Sequence, residues 1–210
     1  GFWNDLPRIK ERFYQSTTRT PDLQITHDGY LSDLKNEAFL HALRNYKNTL
    51  LKGGTGSGKT VLTYVIATEW YDTTHYPTII AAPLNAIIEQ QKNGNKNPKF
   101  AFCTAIDKAP EIFIFKDTNK IGMFVNYDNL QFVADEFTKL FGGYNLIVDE
   151  SHQITTAFGY KPDVVRDVVR VSAKANKTLF LSATPSLLGL DSFYFIEINR
   201  STTPPTPQII

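Results

Sequence analysis

Cysteine is nearly absent, with Cys103 alone among 210 residues. A single thiol excludes an intramolecular disulfide framework and a cysteine-rich zinc site, and it fits a reducing compartment inside a cell. Methionine also occurs once, as Met123, so the chain opens on Gly1 without an initiator and reads as a piece of a longer product. No apolar run approaches the roughly 20 residues of a membrane span. The opening GFWNDLPRIKERF lacks the charged-then-apolar order of a signal peptide. An excess of one charge is missing too: 22 Lys and Arg against 21 Asp and Glu leave a net charge of +1. Any nucleic-acid surface must therefore be a local patch. What remains is the composition of a soluble globular protein, 42% hydrophobic and 20% charged, long enough for one large α/β domain or two small ones.

The apolar residues fall into short continuous runs separated by helical patterns. NTLLK (48–52), TIIAAP (78–83), EIFIF (111–115), IGMFVN (121–126), YNLIVDE (144–150), KTLFLSAT (177–184) and FYFIEI (193–198) read as strands. Helical spacing appears in SDLKNEAFLHALRNY, with Ser32 or Asp33 as N-cap, and in KTVLTYVIATEWY (59–71), whose β-branched content makes it a poor helix by propensity. LNAIIEQQ (84–91), DNLQFVADEFTKLF (128–141) and KPDVVRDVVRVSAKA (161–175) read the same way, and KNGNKNPK (92–99) is a polar loop. Residues 1 to 30 read as a short helix plus irregular chain, an extension packed on a core that occupies 31–200. Residues 201–210 form a proline-rich exit. Strands that are apolar throughout and alternate with helices predict a mainly parallel sheet covered on both faces, a three-layer α/β domain. Ligands of such sheets sit at the carboxyl ends of the strands.

Three strand ends carry unusual residues. After NTLLK, the run Gly53-Gly54-Thr55-Gly56-Ser57-Gly58-Lys59-Thr60 matches G-x-x-x-x-G-K-[ST] between a strand and a helix. Consecutive N–H groups there converge on one concavity, and the helix N-terminus adds positive potential, so the loop suits a di- or triphosphate. Lys59 supplies a full charge against the β and γ phosphates, and the Thr60 hydroxyl is placed to bind Mg2+. LIVDESH (146–152) delivers Asp149 to a strand end, where it can hold a Mg2+-bound water. Glu150, next in line, can orient and deprotonate an attacking water. Taken alone, such an acidic pair also serves to cap a following helix, and His152 alone is as well read as a surface histidine. LFLSATP (179–185) ends a strand in two hydroxyls and little bulk; by itself it is equally a strand-to-turn transition with Pro185 as breaker.

GGTGSGKT, DESH and SAT in that order resemble the first RecA-like motor domain of superfamily 2 helicases, on the DExH side. The match spans most of residues 31 to 200. The resemblance implies ATP and Mg2+ at the glycine loop and Asp149. It assigns a coupling role to His152 and to Ser182, Ala183 and Thr184, between the nucleotide and the nucleic-acid track. TIIAAPLNAIIEQQ is similar to a family segment that touches the nucleic-acid backbone, and Pro83, Leu84 and Gln90 fall on it. Leu84 stands where the family has threonine. MFVNYDNL (123–130) is similar to a second backbone-contacting segment, with Asn126 at a threonine position and Tyr127 kept. The family's adenine-reading glutamine has no evident counterpart; Lys35 or Asn36 lies nearest to it.

The resemblance implies an ATP-hydrolysing helicase or translocase acting on the DNA or RNA backbone, DNA being slightly favoured. It further implies a second RecA-like lobe, bringing arginine fingers, that nothing after Thr184 encodes. The chain alone is then expected to be an amino-terminal lobe ending at the interlobe linker, nearly inactive in isolation. A translocase subunit of a restriction or remodelling machine, without strand separation, uses the same lobe. A nucleotide-dependent DNA-binding module without hydrolysis is the third reading, disfavoured because Lys59, Thr60, Asp149 and Glu150 occur together. No membrane partner is expected. The expected location is intracellular: cytoplasm or nucleoid, or host cytoplasm for a phage protein.

Overall fold

The computed structural model describes residues 20–29, 33–53, 59–82, 97–103, 115, 118–149, 162–182 and 192–199. In chain order these form β1 (Leu23–Thr26), α1 (Glu37–Asn45), β2 (Asn48–Lys52), α2 (Lys59–Thr74), β3 (Thr78–Ala81), β4 (Phe100–Cys103), β5 (Gly122–Val125), a 3-10 turn (Tyr127–Asn129), α3 (Leu130–Phe141), β6 (Asn145–Asp149), α4 (Pro162–Lys174), β7 (Thr178–Ser182) and β8 (Tyr194–Asn199). All eight strands join one sheet in the order β1-β8-β2-β7-β6-β3-β5-β4, and every pairing is parallel.

Side-chain alternation divides the core into two layers. Leu50, Ile79, Met123, Leu146, Val148, Phe180 and Phe195 face one side, where Val133, Ala134 and Phe137 of α3 and Val168 and Val171 of α4 cover them. Leu51, Ile80, Phe124, Ile147, Leu179, Leu181 and Ile196 face the other, against Phe39 and Leu43 of α1 and Leu62, Ile66 and Trp70 of α2. This is the three-layer α/β arrangement expected from the continuous apolar runs, with the sheet wholly rather than mainly parallel.

Local chemistry sets the helix limits. The Asn36 side chain accepts from the Phe39 N–H at 3.0 Å, so α1 starts at Glu37, later than a Ser32 or Asp33 cap predicts. Gly142, at φ 80°, ends α3 in the left-handed conformation that glycine adopts freely, and its N–H donates to the Thr138 carbonyl. α2 persists through its β-branched residues because Leu62, Ile66, Ala67 and Trp70 are fully buried. The Thr68, Thr73 and Thr74 hydroxyls are satisfied within the helix, on the carbonyls of Tyr64, Glu69 and Trp70. Tertiary burial outweighs propensity here.

Two strands escaped the sequence reading. β1 lies within residues 1 to 30, expected as helix and irregular chain, and pairs with β8 from Leu23↔Ile196 to Thr26↔Asn199. β4 follows the polar loop and pairs with β5. Phe115, the one described residue of the expected strand 111–115, is helical instead. The expected helix 84–91 lies outside the described residues.

The amino-terminal edge of the sheet is tied by polar contacts. Asn145 donates to the Thr74 hydroxyl at 3.0 Å and the Tyr76 carbonyl at 3.3 Å. Lys177 donates to the carbonyls of Arg44 (2.6 Å) and Tyr46 (3.2 Å), at the last turn of α1, and burial lowers its pKa. These ties leave the opposite edge, where the strands end, for chemistry.

Candidate nucleotide and nucleic-acid site

Because all strands run the same way, their last residues line one edge. β2, β7 and β6 are neighbours there, with Lys52 opposite Ser182 and Leu181 opposite Asp149. Strands expected to bear the glycine loop, the Ser-Ala-Thr run and the acidic pair thus end side by side, although Lys52 and Asp149 lie 97 positions apart in the sequence. Gly53 continues directly from β2; a Cβ there would lie 3.5 Å from Leu62 of α2 and 3.7 Å from Leu181 of β7. The chain therefore enters the loop between the helix that follows it and the strand beside it. α2 begins at Lys59, so its positive N-terminal end belongs to this region.

Asp149 is 5% exposed, and alternation places it on the face of Ile147, the face that α2 covers. Thr60, in the first turn of α2, is 8% exposed, and its carbonyl accepts from the Thr63 hydroxyl at 2.5 Å. Both buried side chains carry oxygen donors, the chemistry that Mg2+ prefers when it also binds phosphates. The pair fits a magnesium–nucleotide complex. Lys52, at the end of β2, is paired at 3.7 Å with Glu197 of β8, so this cation beside the loop already has an acidic partner.

The β5 end lies two strands beyond β6, with β3 between them. The Ala82 N–H donates to the Val125 carbonyl at 3.0 Å, which ties the start of the segment leading to Pro83 to the end of β5. Asn126 follows, its carbonyl accepting from the Asn129 N–H at 3.0 Å. Tyr127 is half-buried against the α3–α4 layer, and its hydroxyl donates to the Asp149 main-chain carbonyl at 2.5 Å. That link was not foreseen, because it depends on strand order.

Of the expected site residues, Lys59, Thr60, Asp149, Ser182, Asn126 and Tyr127 fall in elements that meet this carboxyl edge. Gly54, Thr55, Gly56, Ser57, Gly58, Pro83, Leu84, Gln90, Glu150, His152 and Thr184 lie outside the described residues.

Sheet order, layering and strand-end chemistry define a RecA-like α/β nucleotide-binding domain. The DEAD/DEAH box helicase model matches residues 33–192, and the chain belongs to that family. Similar structures are the helicase domain of Hef from Pyrococcus furiosus and the UvsW helicase of bacteriophage T4. The Hef domain gives a TM-score of 0.55 at 17% identity over 80% of this chain and 38% of its own. UvsW gives 0.50 at 10% identity over 91% of this chain and 67% of its own. At such identities the likeness is one of fold. The search of curated proteins returned no match. Among the described residues, no helix is long and apolar enough to cross a membrane.

Proposed function

We propose that this domain binds ATP with Mg2+ and forms the first motor lobe of a helicase, coupling ATP hydrolysis to movement on, or unwinding of, DNA or RNA. The observation that supports the reading is the juxtaposition of the β2, β7 and β6 ends, the strands from which the three sequence signatures continue. Residues 54–58 cradle the phosphates through their N–H groups, and Lys59 faces the β and γ phosphates. Thr60 and Asp149 hold the cation, which when bound offsets phosphate charge. Glu150 orients the attacking water and accepts its proton, since phosphoryl transfer asks for positioning and charge more than covalent help.

Ser182, Thr184 and His152 connect this site to the nucleic-acid track. The track itself runs over the segments that follow β3 and β5, through Pro83, Leu84, Gln90, Asn126 and Tyr127. Such contacts address the backbone, so they carry no sequence preference. The chain spans 38% of the Hef helicase domain and 67% of UvsW. The reading therefore places residues 31–200 as one lobe, with a second RecA-like lobe completing the motor inside the cell.

Calorimetric titration of Mg2+–ATP into the wild-type chain and into Lys59→Ala tests the reading. Charge-assisted contacts are worth roughly 1.5–3 kcal/mol, so the variant should bind at least about tenfold more weakly. Equal affinities would remove the phosphate-loop assignment.

A further inference from the structure

Tyr127 follows β5, yet its hydroxyl reaches the end of β6, passing over the end of β3. Strands lie about 4.8 Å apart, so the span is two strand spacings and calls for a long, rigid side chain that ends in a donor. The ring packs in the layer made by α3 and α4, whereas Asp149 directs its side chain to the α2 layer. The tyrosine thus holds the strand end from the α3–α4 side, opposite the face to which the Asp149 side chain turns.

Its acceptor is informative. The Asp149 carbonyl shares one planar peptide unit with the Glu150 nitrogen. A donor fixed on that oxygen sets the plane through which the chain leaves the metal-binding aspartate and enters the proposed base. At its other end Tyr127 belongs to the 3-10 turn Tyr127–Asn129, held by the Asn129 N–H on the Asn126 carbonyl. Neighbouring Val125 is hydrogen-bonded to Ala82, where the other backbone-contacting segment begins. One side chain therefore joins the root of the nucleic-acid track to the peptide between the two acids.

From this geometry we infer that Tyr127 is a positioning residue that couples the two sites, transmitting occupancy of the turn after β5 to the Asp149–Glu150 peptide and back. The inference rests on the function proposed above, and it adds linkage to the place of Tyr127 in the nucleic-acid track. Coupling between binding sites is reciprocal, so either ligand reports it.

The test titrates Mg2+ with a slowly hydrolysed ATP analogue into the chain, alone and saturated with oligo(dT), or with oligo(U) where that binds more tightly. The wild type should show a nucleotide Kd shifted by about fivefold or more, the low end of ordinary coupling. Tyr127→Phe keeps the ring and removes the donor. The shift, which is the ratio of nucleotide affinities with and without oligonucleotide, should then collapse toward one whatever the variant does to either affinity alone; a loss of packing alone would weaken binding and leave that ratio in place. An unchanged shift in Tyr127→Phe, or no shift in the wild type, overturns the inference while nucleotide binding, lost in Lys59→Ala, leaves the proposed function standing. Absence of nucleotide binding in the wild type removes both. A measurement on the unmodified chain covers the case of a variant that does not fold. Amide hydrogen exchange in residues 123–130 should slow when the Mg2+–nucleotide is added, and unaltered exchange overturns the inference.

Discussion

Lys52, the last residue of β2, is the register partner of Ser182, the last residue of β7, and Leu181 just before it is the partner of Asp149 on β6. The phosphate-loop strand and the acid-bearing strand are thereby held one strand apart, in a register set by the hydrogen bonds of a parallel ladder rather than by any loop. A one-residue slip of β6 would turn Asp149 to the α3–α4 layer and Val148 to the α2 layer. Leu146, Ile147 and Val148 are apolar on both faces, so the polar ends of the strand oppose that slip: Asn145, bonded to the Thr74 hydroxyl and the Tyr76 carbonyl, and Asp149, which the slip would bury in an apolar layer.

Asp149→Asn keeps the shape of this strand end and removes its charge. Mg2+–ATP should then bind about tenfold more weakly, whereas ATP titrated in the presence of a chelator should bind with nearly wild-type affinity, because the phosphate cradle is intact. Equal losses with and without Mg2+ would show that Asp149 does not act through the cation.

Nucleic-acid binding by the chain should be weak, salt-sensitive and indifferent to sequence. The segments assigned to it address phosphates, and a track of about two to four phosphates on a single strand gives a slope of log K against log salt of roughly −1.4 to −2.8. Fluorescence anisotropy with labelled oligonucleotides of unrelated sequence measures this. Tight binding that prefers one sequence at physiological salt would contradict backbone contact and require base readout.

Legibility followed burial. β2, β6 and β7 lie inside the sheet with both faces covered, so they read as unbroken apolar runs, and their expected limits fell within two residues at each end. β1 is an edge strand in which only Ile25 is buried, so LQIT has no run to recognise. β4, at the other edge, is four residues long and adjoins a polar loop. At Phe115 the strand expectation fails because a short run of aromatic and β-branched residues fits a strand or a buried helix equally, and the Phe115 ring packs against Phe137 of α3. The signatures that carry the proposed chemistry have local spacing, so a single sequence displays them. The Tyr127–Asp149 bond joins residues 22 apart across an intervening strand, and no local pattern encodes strand order.

Gly122, at the start of β5, is required by packing. A Cβ there would lie 2.4 Å from Cε1 and 2.5 Å from Cδ1 of Phe100, whose ring also packs on Tyr64 and Phe124. Gly122→Ala should therefore lower stability by about 1–3 kcal/mol, a drop in Tm of several degrees. Gly29→Ala is the control. Its Cβ would meet nothing nearer than 3.5 Å, and its effect should stay within about 0.5 kcal/mol. Thermal melts of the two variants giving equal shifts would mean that the Phe100 ring yields without cost.

Tyr144 is buried, and its hydroxyl donates to the Val171 carbonyl of α4 at 2.7 Å. Burial, and then the nearby Asp135 carboxylate, push its pKa well above the ordinary 10.0. Between pH 10 and that raised value the folded chain keeps the phenolic proton while the unfolded chain loses it, so the unfolded state binds fewer protons and stability falls as pH rises. Below pH 10 both states are protonated, and the contribution is fully present. Tyr144→Phe removes the titrating group together with the hydrogen bond and leaves the Val171 carbonyl without this donor. It should cost about 1 kcal/mol at neutral pH and flatten the decline above pH 10. Urea denaturation across pH 8 to 11 measures both effects. Parallel stability curves for the two proteins over that range would show that Tyr144 does not titrate differently on folding, and that the alkaline decline comes from other groups.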